Sequence, residues 1–237
     1  MADLMITHLY PDLLRTYGDR GNVLTLARRA EWRGFSTEIR EVLRGDRLPE
    51  RPGIVMVGGG TDRAQEAIGR ELLAHRDGLQ QALGDGAIVI GICGGYQFLG
   101  HEYVAADGSR IPGVGLLDVT TVNGKGRIIG RVRATSLLGD GGFELYGFEN
   151  HGGRTLLGEG VRPMAKVEMG GGNNGRDGTE GAVQGRVFGT YLHGPVLPTN
   201  PQLADHLIGL ALGEETLPPL EDELEDRARQ EWRSRKR

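Results

Sequence analysis

The sequence predicts an α/β fold: a mostly parallel sheet flanked by helices, with a mixed or antiparallel extension. Three observations predict it. Short apolar runs at residues 4–9, 53–57 and 86–92 are hydrophobic at consecutive rather than alternate positions, the pattern of strands covered on both faces. Between them lie stretches with apolar residues at helical spacing, such as Ala64, Ala67, Ile68, Leu72 and Leu73. Beyond Gly100 the chain changes to short β-branched segments broken by glycine, and 41 of the 237 residues are glycine.

The elements follow in order. Residues 4–9 form a first buried strand. The turn Tyr17-Gly18-Asp19-Arg20-Gly21-Asn22 comes next, with Asn22 as the cap of a helix through Leu24, Ala27 and Ala30 to about Arg33, stopped by Gly34. Residues 35–42 read as a second strand. Pro49 and Pro52 bracket a loop, and residues 53–57 form a third strand ending at Gly58-Gly59-Gly60. Thr61 or Asp62 caps the next helix. Residues 86–92 form a fourth strand that runs at once into Cys93-Gly94-Gly95 and a helical stretch to Leu99. Segments around 111–122, 127–135, 143–149 and 182–191 are hairpins or a mixed-sheet extension of the same domain. The glycine-rich run 170–181 reads as a mobile loop. Asn200-Pro201 opens a last helix, ended by Gly213. One domain is therefore expected over residues 1–215, followed by a charged, solvated tail over 216–237.

Composition removes several classes of function. A net charge of −4 calls for neither nucleic acid nor an anionic membrane. No apolar run approaches the ~20 residues of a membrane helix. The first residues lack a basic-then-apolar signal layout, so a cytoplasmic protein is expected. The single cysteine excludes an intramolecular disulfide framework and a multi-cysteine metal site. Neither a metal nor a cofactor is expected.

That cysteine is the strongest chemical feature. Gly91-Ile92-Cys93-Gly94-Gly95 is the thiol counterpart of the strand–turn–helix nucleophile elbow. The nucleophile must occupy a strained turn, so its neighbours need to be glycine. The turn pushes the sulfur out at the carboxyl edge of the sheet, and the helix that begins there favours thiolate. A lone cysteine is ordinarily a small buried hydrophobe; the strand–Cys–Gly–Gly–helix setting is what distinguishes this one.

A thiol nucleophile needs a base. His193 follows a strand-like run and precedes Gly194-Pro195, which again puts it in a turn at a strand end. His75 and His206 fall within helical stretches. His151, in Phe148-Glu149-Asn150-His151-Gly152-Gly153, reads as a residue that shapes a substrate pocket rather than as the base. Gly58-Gly59-Gly60 lacks the spacing and the Lys-Ser/Thr of a phosphate loop. Backbone N–H groups of Gly59, Gly60 and Gly94 are instead expected to hold an oxyanion.

Together these residues resemble the class I glutamine amidotransferases. The elbow through Tyr96 and Gln97 matches the nucleophile motif of that class, and Thr190-Tyr191-Leu192-His193-Gly194 matches the histidine motif of its cobyric acid synthase-like branch. Within the branch, Gly58 to Arg63, Ile92 to Gly100, Gly147 to Arg154 and Gly189 to Pro195 are similar to the glutaminase subunits of the bacterial lipid II isoglutaminyl synthases. The resemblance covers residues 3 to about 215. It implies a flavodoxin-like sheet of the class I type and hydrolysis of L-glutamine through a γ-glutamyl thioester on Cys93. It also implies a heterodimer, in which ammonia passes to a Mur-ligase-like, ATP-dependent partner that amidates the α-carboxyl of D-glutamate in the lipid II stem peptide. By matching position, Arg127 would be the glutamine-binding arginine, its planar cation suited to a carboxylate. Tyr96, Gln97, Asn150 and His151 complete the implied substrate-binding set.

The chain departs from the wider class at one position. A glutamate usually stands two residues after the histidine, and here that residue is Pro195, which cannot orient an imidazole. The same lack marks the cobyric acid synthase-like branch. A carboxylate or carbonyl of the partner subunit is one way to complete the site. Three other readings stand beside this one: a glutaminase serving another ATP-dependent amidation, a stand-alone cysteine hydrolase of γ-glutamyl compounds, and a binding or scaffold subunit that keeps the fold.

Overall fold

Residues 2–14, 19–60, 62–139 and 141–234 are described in the computed structural model, with side chains omitted at 62–67, 233 and 234. The first two positions of the expected 17–22 turn, the candidate cap Thr61 and the last three basic residues lie outside them.

The consecutive apolar runs become the centre of a six-stranded sheet. β1 (Leu4–Leu9), β2 (Thr37–Val42), β3 (Ile54–Val57) and β4 (Ile88–Ile92) pair in parallel, and β3 and β4 are buried at every position. Two faces of the sheet must therefore be covered. The intervening helices are α1 (Asp19–Glu31), α2 (Asp62–Ala74), α3 (Arg76–Gly84) and the short α4 (Gly94–Leu99). α1 begins at Asp19, ahead of the expected cap Asn22, whose side chain does not cap it. Its Oδ1 instead accepts the N–H of Leu197 at 2.8 Å. The helix expected from residue 61 breaks at His75 and restarts as α3, which buries only Leu79 and Ala82.

The extension after Gly100 is a second six-stranded sheet. Its strands are β5 (Glu102–Val104), β6 (Arg110–Pro112), β7 (Val119–Ser136), β8 (Glu144–Leu157), β9 (Ala165–Met169) and β10 (Thr179–Glu180). β7 and β8 form a long antiparallel ribbon whose register shifts between Asn123 and Ile128, so residues 124–127 leave the ladder. β11 (Ala182–Gln184) and β12 (Val187–Thr190) then return to the first sheet, which reads β11-β12-β4-β3-β1-β2. β12 lies parallel to β4, and its last residue Thr190 stands opposite Ile92, one position before Cys93. Strand order reverses between β1 and β3, the switch point of a flavodoxin-like sheet.

The run 170–181 is not the free loop expected. Gly171 and Gly172 donate their N–H groups to the buried Glu149 carboxylate at 2.7 and 2.9 Å. Asn173, fully buried, donates to Thr179 Oγ1 and to the carbonyl of Gly181. With the Thr155 N–H on the Asn173 carbonyl and Asn174 Nδ2 on the Thr155 carbonyl, these bonds hold the run against β8.

The chain ends with α5 (Val196–Thr199), α6 (Pro201–Leu212) and α7 (Glu223–Ser234). Gly213, at φ 73°, closes α6 as its position implies. The charged tail forms α7, most of whose described side chains are exposed as expected, but it is also pinned to the domain. Trp232 packs on Tyr146 with ring centroids 4.8 Å apart, and the Arg131 guanidinium lies 4.8 Å from the Trp232 ring. The buried Arg29 of α1 secures this end of the chain: it donates to both carboxylate oxygens of Asp205 and to both of Asp222 at 2.7–2.9 Å. Burial alone would disfavour its charge, and the two carboxylates more than offset that. Removing the cation leaves two facing carboxylates, so Arg29→Ala is expected to lower the unfolding free energy by about 3 kcal/mol in urea titration and to expose the segment before α7 to protease.

Candidate active site

The site stands where β3, β4 and β12 end. Cys93 sits between β4 and α4 at φ 52° and ψ −103°, a backbone conformation that costs on the order of 1–3 kcal/mol for a residue with a side chain. The turn needs the glycines on either side. A Cβ on Gly91 would stand 2.7 Å from the backbone of Gly95 and Tyr96, and one on Gly95 would stand 2.2 Å from the carbonyl oxygen of Val57. Strand and helix can approach that closely only without side chains there. The Cys93 N–H donates to the Thr190 carbonyl at 2.8 Å, which ties the Cys93 turn directly to the strand leading to His193.

His193 is held by both sheets. β12 brings it to the carboxyl edge, and its backbone exchanges two hydrogen bonds with Phe148 of β8, at 2.8 and 3.1 Å. Below it, the buried Glu180 accepts from Thr190 Oγ1 and from the Tyr191 N–H. The imidazole is pushed well below its ordinary 6.5, to about 4, chiefly by burial and then by neighbouring His151 and Arg127. It is therefore neutral at pH 7, the form that can accept a proton. Pro195, where the wider class carries a carboxylate, packs instead beside Gly21 of α1, whose Cβ would meet it at 2.6 Å.

Cys93 and His193 converge on Gly59. A Cβ built on that glycine would lie 3.2 Å from Cys93 Cβ and 3.3 Å from His193 Cε1. The two residues expected to act together, one hundred positions apart in the chain, thus flank the side of Gly59 where a side chain would stand. Gly59 itself departs from its expected role. Its N–H donates to Asp19 Oδ2 at 2.8 Å and so points to that carboxylate rather than to an oxyanion. What Gly59 contributes is space.

The expected substrate residues separate into two groups. Arg127 and Asn150 come together: the bulge in β7 projects Arg127, and its Nε and Nη2 donate to the Asn150 side-chain and backbone oxygens at 2.7 and 2.8 Å. Gln97, one turn after Cys93, is buried with its Nε2 on the Tyr191 hydroxyl, and its Oε1 meets no hydrogen-bond donor among the described residues. His151 is stacked on Tyr191 with centroids 3.7 Å apart. Its Nδ1 lies 2.8 Å from the Gly153 carbonyl and therefore carries the proton, while its Nε2 lies 3.6 Å from Glu149. Tyr96 does not belong with them. Its ring is fully buried against Tyr191 and the backbone of Gly189, and its hydroxyl is spent on Asn173, so it is a packing residue.

Three buried carboxylates around the site were not singled out from sequence: Asp19, Glu149 and Glu180. Asp19 and Glu149 carried a signal, their places in the 17–22 turn and in the 148–153 run. Among the described residues no cluster of three or more metal-ligating side chains occurs, and no helix is long and apolar enough to cross a membrane.

Comparison with known proteins agrees with this geometry. Residues 5–201 match the profile of the CobB/CobQ-like glutamine amidotransferase domain. The chain is 36% identical over 229 residues to the GatD subunit of lipid II isoglutaminyl synthase (glutamine-hydrolyzing) from Staphylococcus aureus, covering 96% of this chain and 92% of that one. It is 38% identical over 236 residues to the corresponding subunit from Streptococcus pneumoniae, covering 97% and 90%. The structure of PurLQS from Thermotoga maritima shares the fold, with a TM-score of 0.59 at 17% identity over 90% of this chain and 96% of that one. A matched domain over most of the chain, relatives aligned nearly end to end and an elbow cysteine beside a strand-end histidine make this chain a member of the CobB/CobQ-like glutamine amidotransferase family.

Proposed function

We propose that the chain is the glutaminase subunit of a two-subunit amidotransferase. It hydrolyses L-glutamine through a thioester on Cys93 and delivers ammonia to a Mur-ligase-like, ATP-dependent partner, which amidates the α-carboxyl of D-glutamate in the lipid II stem peptide. The convergence of Cys93 and His193 on Gly59 carries the reading of the chemistry. The end-to-end similarity to two subunits named for glutamine-hydrolysing lipid II isoglutaminyl synthase supports the choice of acceptor.

The cycle follows from the neutral imidazole. His193 takes the thiol proton of Cys93 as sulfur attacks the side-chain amide carbon of glutamine. The carbonyl electron pair moves to oxygen, where the N–H groups of Gly60 and Gly94 receive it. Collapse re-forms the carbonyl and breaks the C–N bond. His193 gives its proton to the departing nitrogen, and ammonia leaves a γ-glutamyl thioester. Water then attacks that carbon, His193 takes a proton from it, and the second collapse expels the thiolate, which recovers the proton as glutamate leaves. Arg127, steadied by Asn150, receives the substrate carboxylate, and Gln97 Oε1 is a buried acceptor for its ammonium.

Cys93→Ala is expected to abolish ammonia release from glutamine while the partner still co-purifies; ammonia release by that variant would refute the nucleophile. Arg127→Ala should lower kcat/KM about 10- to 100-fold, mainly through KM, and Arg127→Lys should not restore it, because the planar fork is lost. Because His193 loses its lone pair only near pH 4, kcat/KM should stay level from pH 8 down to about pH 5. An inflection at 6.5 in the pH–rate profile would contradict that assignment.

A further inference from the structure

Three consecutive glycines form the loop beside Cys93 that the cycle above asks to present an N–H to the substrate's carbonyl oxygen, and glycine has the widest backbone freedom of any residue. Something has to hold that loop still. The Asp19 side chain is 1% exposed, and its Oδ2 accepts the Gly59 N–H at 2.8 Å. The contact is intimate: a Cβ on the adjoining Gly58 would stand 2.5 Å from the same oxygen. Asp19 Oδ1 accepts from Asn22 Nδ2 at 3.3 Å, and Asn22, itself fully buried, accepts the Leu197 N–H at 2.8 Å. Between them, Gly21 admits the ring of Pro195. Three residues at the start of α1 thus link the glycine loop after β3 with the segment immediately after His193, two stretches more than 130 positions apart.

We propose that Asp19 is a positioning residue for glutamine hydrolysis: it fixes the Gly58–Gly60 loop against Cys93 and, through Asn22, braces that loop to the segment carrying His193. The inference rests on the glutaminase reading above. It extends it to a residue that meets neither the substrate nor the thiol. Burying a carboxylate with so few donors is unfavourable in itself, and burial raises Asp19 to about 6. Any side chain serving only to start α1 could remain in water; this one is turned inward onto the loop.

The test uses the full chain, alone and with its co-purified partner, and compares wild type, Cys93→Ala, Asp19→Ala, Asp19→Asn and Asp19→Glu. Three quantities are read: kcat and KM for glutamine, the rate of Cys93 alkylation by iodoacetamide, which develops no oxyanion, and the thermal midpoint. Asp19→Ala is expected to lose about 100-fold in kcat with little change in KM, and to be alkylated at nearly the wild-type rate. Asp19→Asn, whose amide oxygen still accepts from Gly59, should recover most of that loss. Asp19→Glu keeps the charge but is one methylene too long, and should stay impaired while folded; it decides the matter should Asp19→Ala not fold. Wild-type kcat in Asp19→Glu or Asp19→Ala overturns the proposal alone. So does a loss in Asp19→Asn equal to that in Asp19→Ala. A wild-type complex that releases no ammonia from glutamine overturns the glutaminase reading and the proposal with it.

Discussion

The close approach of α4 to the ends of β3 and β4 is the constraint on which the site depends. Gly95 donates its N–H to the Gly58 carbonyl at 3.1 Å, and its Cα faces the Val57 carbonyl where no Cβ fits. That contact forces the chain to reverse within one residue after Ile92, and the residue at the reversal, Cys93, takes the strained φ of 52°. The strain is local; the surrounding backbone contacts hold it in place. A looser junction would let Cys93 relax into the helix and withdraw its sulfur from the sheet edge.

The second sheet completes what the first begins. β12 returns to the parallel sheet beside β4, so the turn after it falls next to the turn after β4. The Phe148 bridge then clamps His193 from the other side. Glu180, from β10, accepts two hydrogen bonds from the residues just before it. The imidazole backbone is thus fixed from two sheets without the carboxylate that Pro195 displaces. The 170–181 run serves the same end, since its amides donate to Glu149, the residue after Phe148.

Much of this was legible in the chain. Residues 4–9, 53–57 and 86–92 announce buried parallel strands through consecutive apolar positions, because a strand covered on both faces has no polar side to alternate with. Cys93 and His193 announce themselves because a sharp turn at a strand end needs glycine beside it, and both have it. α7 was not legible. Its charges look solvated until Trp232 meets Tyr146, 86 positions away, and Asp222 meets Arg29. Tyr96 misled for a related reason: adjacency to the elbow placed it near the substrate, whereas its helical phase turns it into the core.

By itself the sequence determined the layered α/β fold and singled out Cys93 and His193 as the candidate thiol and base, since each is written in short-range patterns that obey steric rules within a few residues. The tertiary structure alone decided that Gly59 gives its N–H to Asp19 and leaves space between Cys93 and His193, and that Asp19, Glu149 and Glu180 are buried. It also decided that an apparent loop is packed and that the charged tail is pinned through Trp232 and Asp222. Those outcomes depend on pairs far apart in the chain, and nothing local distinguishes a carboxylate that will face water from one that the fold will enclose against a backbone amide.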